Sequence, residues 1–303
     1  MYRLRTVLPS VPAGPARRVA PIDGFTFAAH AGGVHKTVWM SALATLVLGS
    51  VGGCVSSPPA APTALVQEMA PSGKLRAAIN FGNPLLATRG TAGADPTGVS
   101  VDLARALAKR LGVPVELVPF TAAGLAVNAA KNAQVDIAFV AVDPARGADI
   151  GQTAPYLIIE GAYLVRENSP IRVNADVDRP GTRIVVGNAS AYDLYLKREI
   201  KAATLVRAVT SPLVTDMMVS GNFEVAAGVK QQLQMDAARY PGLRLLPGRF
   251  MTIDQAMGMP KGRDAGLVYL RAFVEEMKAS GFVAQEIARN QVDGATVAEA
   301  AKP

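Results

Sequence analysis

Residues 98–120 read GVSVDLARALAKRLGVPVELVPF, and two periodicities meet inside that stretch. Leu103, Leu107 and Leu111 recur every four residues, with Ala104 and Ala108 beside them. That is the apolar stripe of a helix facing a core, opened by Gly98 and stopped by Gly112. Val115–Phe120 then reads as a strand. Upstream, Leu75–Ile79 is a short apolar strand; downstream, Ala122–Lys131 reads as a helix. Asp136–Val142 is an almost continuous apolar run, as expected of a strand covered on both faces. Strands alternating with helices at this spacing predict a mainly parallel sheet with crossover helices.

A second alternating set begins at Gly181. Arg183–Gly187, Thr204–Arg207 and Glu224–Ala227 read as strands. Ser190-Ala191-Tyr192-Asp193 has the spacing of a capping box at a helix start. Ser211-Pro212 opens another helix with a cap and a proline at its first position. The chain returns through Gln255–Gly262 into a last helix striped by Leu267, Leu270, Val274 and Met277. Two such halves predict two α/β lobes.

The net charge of +7 over 303 residues is unevenly spread. Residues 1–53 hold five of the Lys and Arg residues against Asp23, so the remainder carries only +3. No basic run with interleaved aromatics marks a nucleic-acid surface. His30, His35 and Trp39 all precede Cys54, the single cysteine. A chain cut before Cys54 has neither histidine nor free thiol for Ser-His-Asp, Cys-His or zinc chemistry. No glycine motif of a phosphate loop follows a strand, so an ATPase would be a separate chain. No cofactor, metal or catalytic group is expected.

Val38–Val51 is apolar and follows His35-Lys36, but falls short of the roughly 20 residues of a membrane-spanning helix. Its length and flank are those of a signal peptide. It ends Val51-Gly52-Gly53-Cys54, which resembles a bacterial lipobox whose cysteine is acylated. The other reading is cleavage nearby, with Cys54 a bystander. Residues 1–33 lengthen the leader unusually, so translation starting near Val34 or Met40 is also compatible. Arg17-Arg18 lies too far from the apolar run for a twin-arginine signal. Ser56-Ser57-Pro58-Pro59-Ala60-Ala61-Pro62 reads as a tether.

The stretch from Gly98 to Ala108 resembles the signature of the family 3 extracellular solute-binding proteins, the polar amino-acid receptors of ABC importers. The likeness continues, in order, through Val135–Ala138, Asp143–Arg146, Thr153–Tyr156, Ser220–Glu224 and Met257–Gly262. It implies a two-lobed type II periplasmic-binding clamp that closes on a solute by hinge motion. Expected boundaries are a leader at 1–53, a lipidated tether at 54–71, lobe 1 at 72–164 plus 256–292, lobe 2 at 165–255, and a tail at 293–303. The implied partners are a small solute, an ABC permease and a membrane held through the anchor, with the protein a monomer in the cell envelope.

Arg146 is the foremost ligand-binding candidate, because the family's arginine there grips a carboxylate with two parallel hydrogen bonds. Asp143 precedes it as an N-cap. Asn80, Phe81 and Asn83 follow the first strand, at the end where open α/β sheets bind ligands. Asn188, Ser190 and Tyr192 occupy the matching loop of the second lobe. Two departures bear on the ligand. Phe139 and Ala141 stand where the family usually carries hydroxyls, and Gly228 stands at the expected position of its ammonium-binding aspartate, with Lys230 close by. Lys230 would favour a second anionic group, whereas Asp193 or Glu160 would replace the lost acid. An enzyme of the cyclohexadienyl dehydratase type, with Glu160 or Asp193 as its acid, and a sensory lipoprotein remain as alternatives.

Overall fold

The computed structural model describes residues 61–91 and 94–302. The leader, Cys54 and the start of the tether lie outside these residues. After helix α1 (Thr63–Met69), the first lobe runs β1 (Leu75–Asn80), α2 (Val99–Leu111), β2 (Val115–Phe120), α3 (Ala123–Lys131), β3 (Ile137–Ala141) and α4 (Pro144–Asp149). Strand β4 (Gly151–Arg166) leads into the second lobe. There follow β5 (Arg183–Gly187), α5 (Ala191–Glu199), β6 (Thr204–Ala208), α6 (Val214–Ser220), β7 (Val225–Val229), α7 (Lys230–Arg239) and β8 (Leu243–Leu245). Strand β9 (Met251–Met259) returns to α8 (Asp264–Ala279), α9 (Phe282–Arg289) and β10 (Thr296–Val297).

The main strands lie in the order β2-β1-β3-β9-β4-β7-β5-β6. In each half the pairing is parallel, β1 with β2 and β3, and β5 with β6 and β7. Between them β4 and β9 pair antiparallel with each other and with the inner strand of each half. At about 3.3 Å per residue the 16 residues of β4 reach roughly 50 Å, enough to serve both lobes. This is the type II periplasmic-binding fold.

The leucine stripe does what its spacing predicts. Leu103, Leu107 and Ala104 are fully buried, and each leucine contributes about 2 kcal/mol by leaving water. Gly98 is required at the start of α2: its φ is +125°, and a Cβ there would lie 2.3 Å from the Leu86 carbonyl oxygen. The second-lobe strands also fall where they are expected. Two starts differ: Ser211–Leu213 is a 3-10 turn ahead of α6, and β9 begins at Met251 rather than at Gln255.

Both chain ends described here are docked. Thr63–Met69, expected within the tether, is a helix against α8: Met69 is fully buried and the Glu68 carboxylate accepts from the Gly266 amide at 2.9 Å. The proline-rich composition of 58–62 hid an apolar face made by Leu65, Val66 and Met69. The expected tail pairs through β10 with Leu157 and Ile158 of β4. Among the described residues no helix is long and apolar enough to cross a membrane.

Candidate functional site

The carboxyl ends of the parallel strands converge on a cavity of about 40 Å³ between the lobes. Asn80, Gly82 and Asn83 reach it from the end of β1, and Ala123 from the start of α3. Phe139–Ala141 supply the end of β3, and Arg146 the first turns of α4. The second lobe presents Asn188, Ser190, Ala191 and Tyr192 after β5, Ser211 after β6 and Val229 at the end of β7. Ile253 and Gln255 of β9 complete the wall. Six of the nine sequence candidates therefore meet here: Asn80, Asn83, Arg146, Asn188, Ser190 and Tyr192.

Among the described residues Arg146 is the one charged side chain of this lining, and it is 4% exposed. Its Nη1 donates to the Ala141 carbonyl at 3.2 Å, and its Nη2 donates across the cleft to the Ala189 carbonyl at 3.0 Å. Burial pushes its pKa down to about 10, opposed by the nearby Asp143 carboxylate. It remains cationic at neutral pH. Of its five N–H donors these two hydrogen bonds use two, which leaves the geometry for an anion.

The opposite wall is a tight loop built on Ala189, which adopts a left-handed backbone with φ +54°. The Asp193 carboxylate accepts from the Ala189 amide at 2.9 Å and pairs with Arg207. Ser190 caps α5, its hydroxyl accepting from the Asp193 amide at 3.0 Å. The predicted capping box is thus offset by one residue, since Asp193 reaches back to Ala189 rather than to Ser190. Burial raises the Tyr192 pKa, against the lowering effect of the Ser211 and Ser190 hydroxyls. Asn80 lines the cavity while its Oδ1 accepts from the Gly82 amide in a turn.

Three candidates are not brought to the cavity. Phe81, in the turn after β1, is not part of the lining; it packs on the core beneath the Arg89 guanidinium, 4.7 Å from its ring centroid. Asp143 caps α4 through the Ala145 amide and pairs with Arg198 of the second lobe at 2.9 Å. Lys230 binds Glu160 at 2.7 Å, because the register of Gly161 with Val229 sets the two side by side. Glu160 also pairs with Arg249 at 2.7 Å, and Lys230, then Arg249, lower its pKa. Gly228, expected to mark the missing acid, lies in β7 beside Leu233 and lines an adjoining smaller cavity with Asn83, Tyr192 and Ser211; the next residue, Val229, borders both cavities.

Sequence reasoning missed Ala189, Gly124 and Gln255. A Cβ on Gly124 would stand 2.6 Å from the Ala189 Cβ, so the two lobes touch there. An alanine between Asn188 and Ser190 carries no signal of a left-handed turn, where glycine or asparagine is usual.

No curated protein matches the chain in sequence. Solved structures share its fold. A binding component of an ABC transporter from Wolinella succinogenes, complexed with lysine, aligns with TM-score 0.62 and 22% identity over 72% of this chain and 95% of that chain. A solute receptor for L-cysteine of Neisseria gonorrhoeae gives TM-score 0.66 and 20% identity over 76% and 94%. An ancestral amino-acid-binding protein, a precursor of cyclohexadienyl dehydratase, gives 0.62 and 21% over 74% and 98%. Residues 75–289 match the bacterial extracellular solute-binding proteins, family 3, and the chain belongs to that family.

Proposed function

We propose that the protein is the extracytoplasmic receptor of an ABC importer and binds a small carboxylate-bearing solute between its lobes. The observation that carries this reading is the buried Arg146 guanidinium, facing the cavity with N–H donors to spare and linked to both lobes. A bidentate carboxylate would satisfy those donors and offset the cost of burying the cation. Closure of the second lobe over it would then signal a loaded receptor to the permease.

Binding without turnover fits the acids better than catalysis does. Glu160 is shared between Lys230 and Arg249, and Asp193 between Arg207 and the Ala189 amide, so each is committed to an ion pair. A dehydratase would need one of them free to move a proton inside the cavity. The protein acts as a monomer, held at the membrane by acylation of Cys54.

A thermal-shift series of small carboxylates tests the central claim. A ligand at 100 times its dissociation constant should add about 2.7 kcal/mol of stability. Stabilisation by neutral solutes alone, with none by any carboxylate, would remove the assignment. For the anchor, Cys54→Ser should move the protein from the detergent phase to the aqueous phase; unchanged partitioning would reject acylation.

A further inference from the structure

We propose that the cleft selects a small carboxylate whose neighbouring substituent is a neutral oxygen, a hydroxy or keto acid, over the α-amino acid of the same skeleton. The proposal rests on the solute-binding reading and names the chemistry of its ligand.

The charge pattern of the cavity carries the inference. Arg146 provides one positive charge, and among the described residues no aspartate or glutamate lines the wall. An α-amino acid would bring an ammonium group next to its carboxylate, and a buried ammonium without a carboxylate partner is strongly disfavoured. Three of the nearby acids are engaged elsewhere. Asp143 serves Arg198 and the α4 amide, Asp193 serves Arg207, and Glu160 serves Lys230 and Arg249. Asp254, whose buried Oδ1 has no hydrogen-bond partner, alternates with Ile253 and Gln255 along β9 and is not part of the lining. The wall residue at the end of β7 is Val229, an alkyl group.

What the wall does offer suits neutral oxygens. Asn80, Asn83, Ser211 and Gln255 provide amide and hydroxyl groups that both donate and accept. The Asn83 Oδ1 is buried and has no hydrogen-bond partner, so it can accept from a donor on the ligand, which a hydroxyl supplies and a keto oxygen does not. The N-terminus of α5, with Ser190 and Ala191 in the wall, adds a second positive end to that of Arg146.

The test is calorimetric titration of the full chain with matched pairs: lactate against alanine, malate against aspartate, and 2-hydroxyglutarate against glutamate, with pyruvate as the keto probe. The expected result is that an oxygen-substituted acid binds at least about tenfold tighter than its amino partner. Val229→Asp places a carboxylate in the wall at the N-cap of α7, a position that tolerates it well. In that variant the preference should shrink or reverse. An amino acid binding as tightly as its hydroxy partner, or more tightly, in the unaltered protein would overturn the proposal and leave the receptor reading intact. Binding of no compound from either class would overturn both. If Val229→Asp fails to fold, the paired titrations of the unaltered protein still decide.

Discussion

The two walls of the cleft solve different problems. On the first lobe, Arg146 is fixed from within its own lobe: α4 is capped by Asp143, and the guanidinium donates to Ala141 at the end of β3. On the second lobe, the facing loop holds Ala189 in a left-handed conformation that costs a non-glycine residue about 1 kcal/mol. That loop is held from behind by Asp193 and from across the cleft by Arg146. The first lobe therefore carries the charge recognition as a finished site. The second supplies a strained cover whose contacts are complete only when the lobes meet. Strain of this kind persists where the surroundings over-determine it, and functional clefts are a common place for it.

The difference can be broken by substitution, beginning with the largest effect. Arg146→Ala removes the one charge of the wall among the described residues and should cost about 2–5 kcal/mol of carboxylate binding by calorimetry. A loss below about tenfold (roughly 1.4 kcal/mol) would mean that the first lobe does not hold the recognition. Gly124→Ala attacks the closing contact instead. Its new methyl would meet Ala189 at 2.6 Å, so ligand binding should weaken by about 1–3 kcal/mol, as overpacking does. Melting without ligand should change little, because the open form escapes the clash; an equal loss of both would make Gly124 a matter of folding alone.

Arg198→Ala sharpens the comparison from the second-lobe side. Its pair with Asp143 spans the cleft, but Arg198 is 44% exposed, so the pair contributes about 1 kcal/mol or less. Affinity should fall by less than about fivefold, and the difference should fade in 1 M salt, where the screening length is about 3 Å. A large effect that resists salt would move Arg198 into the recognition apparatus. Lys230→Ala should have the smallest effect, with affinity within about twofold, because Lys230 is turned to Glu160 outside the cavity. A tenfold loss would restore it to the site.

Much of the fold is legible because its local signals agree. The α2 stripe, the glycines at its ends and the apolar β3 each point to the same layer, and their burial follows. The helix at 63–69 and the strand at 296–297 were hidden for a physical reason: each is short and gains its stability from a neighbour, α8 or β4. The site divides in the same way. Residues that follow parallel strands, such as Asn80 and Asn188, could be placed from order alone, because strand ends meet at a cleft. Lys230 and Phe81 could not, because strand register and the turn after β1 decide which way each one faces.

The order of alternating strands and helices, the arginine after the third strand and the lack of histidine and further cysteine after Cys54 were determined by the sequence by itself, since each depends on residue type and spacing along the chain. The tertiary structure alone decided which charges neutralise one another. Glu160 meets Lys230 and Arg249, Asp143 meets Arg198, and Asp193 meets Arg207 across separations from 14 to 89 positions. Ion pairing depends on distance in space, so no local pattern could show that Arg146 would be left, among the described residues, as the one charge facing the cavity.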